Sequence, residues 1–187
     1  MSEMTGTAAN IEFGPCQVLF KEQDLGYFKG GVEFAAGAEF IDIEVDQSSM
    51  LQESRVVKET AMVTVPMAET NLAMLQHVMA NGTYLIDEGV DPAPDKEKIS
   101  VGGKQLSDDS YGALVITPIV DGSGTLSDDP NEKITIHKAL PKIQFKKAYT
   151  RDGVRVVPVE FHAYEDHTKP AGERLFVLGD TTATAGS

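Results

Sequence analysis

The clearest alternation of apolar and polar positions lies between Phe40 and Asp46. Three aliphatic residues alternate there with three carboxylates, and a period of two places each set on its own face of a strand. The aliphatic set is Ile41, Ile43 and Val45, and the acidic set is Asp42, Glu44 and Asp46. The pattern therefore predicts a strand at 40–46 with one apolar face and one acidic face.

The segment that follows predicts a loop and then a second strand. Residues 47–55 have no regular apolar pattern, and a long loop is expected over 47–58. Alternation returns over 61–67, where every second residue is apolar: Ala61, Val63, Val65 and Met67. Pro66 has no N–H to donate to a neighbouring strand, so this strand is expected to end there or to lie at a sheet edge.

A single helix is predicted behind this strand. Thr70 is a suitable N-cap, and Gly82 is a plausible stop. The apolar residues between them recur at helical spacing: Leu72, Leu75 and Met79.

The remaining predicted strands are short and separated by turn residues. Gly37 is expected to allow a turn into the acidic strand, and Pro141 to separate two strands. The predicted segments are 17–21, 25–28, 32–34, 84–86, 99–101, 111–120, 134–139, 143–149, 154–164 and 175–178, with a long loop at 87–109. Many short strands, one helix and no βαβ repeat predict a mainly β fold, either a β-sandwich or a partly closed barrel, with one flanking α-helix. We expect one domain at 13–180, between a flexible N-terminal arm at 1–12 and a polar C-terminal tail at 181–187.

Three pieces of the first 80 residues resemble the tail tube proteins, or major tail proteins, of long-tailed bacteriophages. They are DLG at 24–26 followed by KGGV at 29–32, FIDIEVDQ at 40–47, and VTVPMAETNLAML at 63–75. The resemblance implies a tail-tube-like β domain, hexameric rings that stack into a hollow tube, and passage of viral DNA from capsid to host cell. It also implies the tape measure, tail terminator and baseplate proteins as partners. No enzyme activity and no cofactor are implied, and the protein would be made in the host cytoplasm and reside in the virion tail.

The charge is strongly negative and unevenly distributed. The 187 residues carry a net charge of −13, and residues 1–95 hold 16 acids but only four bases. This disfavours a DNA-binding module, which needs a dense basic patch. Carboxylates that line a tube would instead repel phosphates and leave DNA free to slide. The candidates for such a lumen are Asp42, Glu44, Asp46, Glu53 and Glu59, and a plain solvated acidic surface is the alternative.

Ring formation and stacking also predict contact residues. Strands 40–46 and 61–67 are expected to join strands of neighbouring subunits, the loop at 47–58 to order on stacking, and a basic segment to face the acidic surface of the next ring. The stacking candidates are Gln47, Met50, Leu51, Arg55, Lys58, Lys138, Lys142, Lys146, Lys147 and Arg151. A surface hairpin tip and a basic outer face are the alternatives for the loop and the basic segment.

No residue pattern predicts catalytic, cofactor or metal chemistry. No nucleophile elbow, Walker A or dinucleotide fingerprint occurs, and the spacing of His162 and His167 fits no standard metal site. The carboxylates on one strand face lie about 6.6 Å apart, too far for one calcium ion without a loop folding over it. Cys16 is interpreted as a small core residue. We expect no signal peptide, because the N-terminus lacks basic and apolar leader regions. We expect no membrane binding, because no apolar run reaches the roughly 18 residues that a membrane span needs.

Two other functions fit the same pattern. One is the tube protein of a bacterial secretion system, which has a similar ring form. The other is a monomeric immunoglobulin-like or adhesin binding module, since short strands with turn signals fit it as well. Oligomeric state separates the ring-forming proteins from the monomer.

Overall fold

A computed structural model describes residues 14–43, 50, 52–87, 89, 95–120, 124–145 and 154–184. Within these residues the chain forms ten β-strands and one α-helix, with short 3-10 turns at Asp108–Ser110 and Pro130–Glu132. The elements are β1 Cys16–Phe20, β2 Gln23–Asp24, β3 Glu33–Ile43, β4 Glu53–Met67, α1 Leu72–Val78, β5 Gly82–Asp87, β6 Lys96–Val101, β7 Gly112–Pro118, β8 Ile134–Ile143, β9 Val157–Ala163 and β10 Val177–Leu178. The predicted mainly β class is confirmed.

One large antiparallel sheet has the strand order β2-β1-β7-β8-β9-β4-β3, and β10 pairs with β8. Residues 25–29, which follow β2, form hydrogen bonds with strands near the two ends of this sheet. Leu25 N–H donates to Val18 O of β1 at 3.0 Å, while Lys29 N–H donates to Pro66 O of β4 at 3.1 Å. Of the two predicted arrangements, these bonds fit the partly closed barrel.

The core fills the inside of this barrel. Phe20 of β1 and Phe161 of β9 are fully buried, and their ring centroids lie 5.1 Å apart. The two strands are separated in the sheet by β7 and β8, so the rings meet across the interior. Leu75 and Val78 of α1 are buried in the same cluster, so the helix adds its apolar side to the core.

The predicted strand at 61–67 is confirmed, and its apolar positions are the buried ones. The helix begins one residue later than predicted, because Asn71 and not Thr70 is the N-cap; its Oδ1 accepts from Met74 N–H at 2.7 Å. The helix also ends before Gly82, which opens β5. A membrane-spanning helix is not found among the described residues, since α1 has only seven residues.

Two predicted breaks between strands are wrong. Gly37 makes no turn, because β3 runs through it. Pro141 does not divide two strands. The ladder of β8 with β7 ends at Ala139, so beyond that residue β9 is the only described strand that pairs with β8, and a strand with one open side accepts proline. The strand predicted at 99–101 within the long loop is confirmed and is longer than predicted: β6 is Lys96–Val101 and forms a separate two-stranded sheet with β5.

Candidate assembly surface

The outer part of the β3–β4 hairpin extends beyond the barrel sheet. β4 pairs with β9 only from Met62 to Met67, and β3 pairs with no described strand except β4. Residues 37–43 and 53–60 therefore have only each other as strand partners, and we call them the ribbon. An isolated two-stranded hairpin is marginally stable in water, so an exposed one of this length lacks the packing that usually supports a strand pair.

The ribbon is open to solvent on both faces. All of its residues except the half-buried Ile43 are exposed. The exposed residues include large apolar side chains, among them Phe40 at 65%, Val56 at 52% and Val57 at 64%. Ile41 is exposed at 58%. Exposed apolar side chains that lie next to one another mark interaction surfaces more often than isolated ones do.

One face of the ribbon continues the interior side of the barrel. Residues directly opposite in an antiparallel ladder share a face, and Phe34 lies opposite the buried Val63. Alternation along β3 then places Phe40 and Asp42 on this side. We call it the Phe40 face, and its ribbon residues are Ala38, Phe40, Asp42, Ser54, Val56 and Glu59. Its described charged groups are thus both acidic.

The opposite face, which we call the Ile41 face, carries the basic residues of the ribbon. Arg55 lies opposite Ile41 and pairs with Glu53 at 3.1 Å. Lys58 lies opposite Glu39, with 3.8 Å between Nζ and the carboxylate. Exposed pairs of this kind add little stability, but they leave the two cations already matched by acids.

The two strands are held in a bent register. The pairing shifts between Glu39 and Phe40, so Val57 has no residue directly opposite it. Such a bulge bends a strand pair and increases its twist. Ser54 Oγ donates to Asp42 Oδ1 at 2.5 Å, which fixes this carboxylate on the Phe40 face.

A cleft of about 740 Å³ lies where the ribbon leaves the barrel. Ala36, Ala38 and Glu59 line one side, and Leu175 and Phe176 line the other. The ion pair between Arg174 and Glu165, at 2.9 Å, lies at the same cleft. The Phe40 face is therefore concave at its root.

The free edge of β3 is a second property of this surface. Within the described residues β3 is the last strand of the sheet, and nothing pairs with its outer side over Glu33–Ile43. An open edge presents unpaired N–H and C=O groups that can pair with another strand. The ribbon thus offers both side chains and backbone to a partner.

The predicted lumen carboxylates do not share one face. Asp42 and Glu59 lie on the Phe40 face, whereas Glu53 lies on the Ile41 face. Glu44 and Asp46 lie outside the described residues. The ribbon can therefore turn at most one of these two described sets toward a lumen.

The stacking candidates are divided as well. Arg55 and Lys58 belong to strand β4, so the prediction of a loop through Lys58 is wrong for 53–58. Met50 is exposed. Gln47, Leu51, Lys146, Lys147 and Arg151 lie outside the described residues. Lys138 and Lys142 both lie in β8.

Lys138 and Lys142 are part of a cluster with two tyrosines, which we call the lysine–tyrosine patch. Lys138 Nζ lies 4.8 Å from the ring centroid of Tyr111, and Lys142 Nζ lies 5.7 Å from that of Tyr164. The two rings meet edge to face with centroids 5.2 Å apart. The tyrosines are far apart in sequence and are joined only by the pairing of β7, β8 and β9, so no sequence signal revealed them.

The described residues hold no group of three or more His, Cys, Asp or Glu side chains able to bind a metal ion. His162 contacts Glu160 at 3.5 Å and His167 contacts Glu165 at 3.4 Å, so each has its own carboxylate. Burial raises the pKa of the half-buried Cys16 thiol, which disfavours the reactive thiolate.

No protein-family model matches this chain, and no curated protein matches it.

Proposed function

We propose that this protein is the structural subunit of a phage tail tube, which assembles through the ribbon into rings that stack into a hollow tube. The observation that supports this proposal is the ribbon itself: a strand pair without a sheet partner, exposed on both faces and carrying Phe40, Ile41 and Val56 at its surface. Packing in an assembly would supply the burial that an isolated strand pair lacks.

The position of this surface supports a head-to-tail form of the assembly. The ribbon extends from one side of the barrel, and the rest of the sheet is closed on itself through Lys29 and Pro66. A contact between the ribbon and a different surface of the next copy is head-to-tail. Head-to-tail contacts close into rings or continue as filaments, and a tube of stacked rings uses both.

The negative net charge of the chain supports a protein that lets DNA pass more than one that binds DNA. A net charge of −13 keeps the wall of a tube from holding DNA through counterion release. Charge reversal of the described set that faces the lumen, either Asp42 with Glu59 or Glu53 alone, is expected to slow DNA passage. Unchanged DNA delivery by the variants of both sets would remove all three carboxylates from the lumen. We propose the tape measure, tail terminator and baseplate proteins as further partners of this protein, and the virion tail as its location.

Negative-stain electron microscopy of the purified protein at low and high concentration tests the proposal. Rings or hollow tubes at high concentration are the expected result. Uniform small particles at every concentration would favour a monomeric binding module, with the cleft beside Phe176 as its site.

The tube protein of a bacterial secretion system is supported by the same ribbon. The genes beside this one separate the two: capsid, tape measure and terminator genes are expected for a phage tail, and secretion-machine genes for the alternative.

A further inference from the structure

The lysine–tyrosine patch has cations without acidic partners. Within the described residues neither Lys138 nor Lys142 forms an ion pair, and each ammonium group lies over a tyrosine ring instead. Glu160 lies directly opposite Lys142 in the β8–β9 ladder, but its carboxylate contacts His162 at 3.5 Å. Lys142 is exposed, while Lys138 and both tyrosines are half-buried. The patch therefore presents two positive charges next to two tyrosine rings that contact each other.

The Phe40 face of the ribbon has the complementary properties. Its described charged residues are Asp42 and Glu59, and the cations Arg55 and Lys58 are on the other face with their own acids. Phe40 and Asp42 are two residues apart on one strand, about 6.6 Å along it. An aromatic side chain and a carboxylate thus stand side by side and open to solvent.

We infer that the Phe40 face of one copy docks on the lysine–tyrosine patch of a second copy, with Asp42 against Lys142 and Phe40 against the tyrosine rings. This contact rests on the proposed self-assembly and names its two surfaces. Opposite charge selects the orientation, and buried aromatic side chains supply most of the contact energy in such interfaces. The Ile41 face, with Glu53, is turned away from this contact.

The two surfaces lie on different parts of the chain, so the contact is head-to-tail. Every copy has a ribbon for the next copy and a patch for the previous one, so the contact repeats from copy to copy, around a closed ring or along a filament. This property permits a test by complementation, because two different defects can correct each other in a mixture.

The test compares Asp42→Lys, Lys142→Glu and an equimolar mixture of the two full-length variants, each followed by light scattering and electron microscopy. Each variant alone brings like charges together and is expected to raise the protein concentration needed for assembly by at least about tenfold. In the mixture the introduced lysine meets the introduced glutamate, and the native pair forms at the alternate contact. Assembly is therefore expected to return toward the wild-type concentration only in the mixture.

Matched controls carry the same charge changes elsewhere. Glu97→Lys reverses an exposed acid and Lys98→Glu reverses an exposed base, both on the separate β5–β6 hairpin. Both are expected to assemble as wild type does. Far-ultraviolet circular dichroism and thermal melts establish that every variant is folded.

The possible results separate this contact from the proposed function. Wild-type tubes together with normal assembly of either Asp42→Lys or Lys142→Glu would overturn the contact and leave the tube intact. Two defective variants that stay defective when mixed would also overturn the pairing of Asp42 with Lys142. A wild-type protein that never assembles would overturn the proposed function, and the contact with it.

Discussion

Phe40 lies directly opposite Val56 in the β3–β4 ladder, and both side chains are more than half exposed. A cross-strand pair of an aromatic and an aliphatic side chain stabilises a sheet, and such pairs usually lie on a buried face. Here the pair stands beyond the last residue of β4 that contacts β9. Burial of these two side chains by a partner molecule would therefore contribute favourable free energy to binding. We propose that the partner is a second copy of the protein.

The double variant Phe40→Ser, Val56→Ser is expected to lose assembly without losing the fold. Exposed substitutions change the free energy of unfolding by within about 0.5 kcal/mol, because neither side chain packs in the barrel core. Size-exclusion chromatography with light scattering measures the assembly, and a thermal melt of the dilute protein measures the fold.

Leu85→Ser is the matched control for that variant, since Leu85 is similarly exposed on the β5–β6 hairpin. We expect it to assemble normally. Equal loss of assembly in the control and in the double variant would mean that general surface hydrophobicity, and not the ribbon, drives association.

Truncation of Phe161 tests the barrel interior. Its ring contacts that of Phe20 across the core, and both are fully buried. Phe161→Ala should reduce the free energy of unfolding by about 3–5 kcal/mol, from lost burial and the cavity that remains. Denaturant titration of the dilute protein measures this change. A loss of less than about 1 kcal/mol, typical of surface sites, would contradict the closed interior.

Gly26 is expected to tolerate no side chain. Its φ is +75°, and a Cβ atom would lie 2.5 Å from Glu69 Oε2. Gly26→Ala should cost at least about 1–2 kcal/mol, the penalty of a left-handed backbone for a residue with a Cβ. Gly37→Ala is the control, because nothing lies within 4 Å of that position and its φ is not positive. Chemical denaturation of both variants should separate them; equal stability would contradict the turn at Gly26.

The sequence predicts the buried strands and residues 40–43 of the ribbon, but it misses the strand at residues 53–58. Val63 and Val65 alternate with polar residues because one face of β4 packs on the core, and this alternation is what a pattern detects. Residues 53–58 have no buried face, so their sequence need not alternate between apolar and polar residues. A strand there cannot be distinguished from a loop by the sequence pattern. The charged pair of Glu39 and Lys58 becomes visible only when the strands are paired.

The breaks were predicted wrongly for a related reason. Gly37 and Pro141 are residues that often end strands. Among the described residues, Gly37 has open space around it in the ribbon, and Pro141 lies where β8 has a strand partner on one side only. The strands continue through both residues because of where these residues lie in the sheet. That position depends on pairing with residues distant in sequence.

Stability should fall between pH 7 and pH 5, partly through His137. Burial lowers the pKa of His137 below its ordinary value of 6.5, and the Lys169 ammonium adds to this. Its Nε2 is buried without a hydrogen-bond partner in the described part of the chain. The unfolded chain takes up the proton first as the pH falls below 6.5, so acidification through this range favours unfolding.

His137→Phe should therefore reduce the pH dependence of the unfolding free energy between pH 7 and pH 5. Burial also lowers the pKa of His77, with a contribution from Lys21, so part of the dependence is expected to stay. Hydrogen bonds from Thr168 and Thr182 lower the pKa values of Asp166 and Asp180 below 3.8, outside this window. Urea titrations at several pH values give the slope, and an unchanged slope would contradict the role of His137.

Sedimentation velocity of the wild type beside a ribbon-shortened variant tests most directly whether the ribbon drives assembly. The variant replaces residues 39–58 by Asn-Gly, a two-residue turn that joins the opposed residues Ala38 and Glu59. We expect the wild type to shift to large species as its concentration rises, while the variant stays a folded monomer at every concentration. Equal assembly of the two proteins, or a wild type that stays monomeric throughout, would contradict the role of the ribbon.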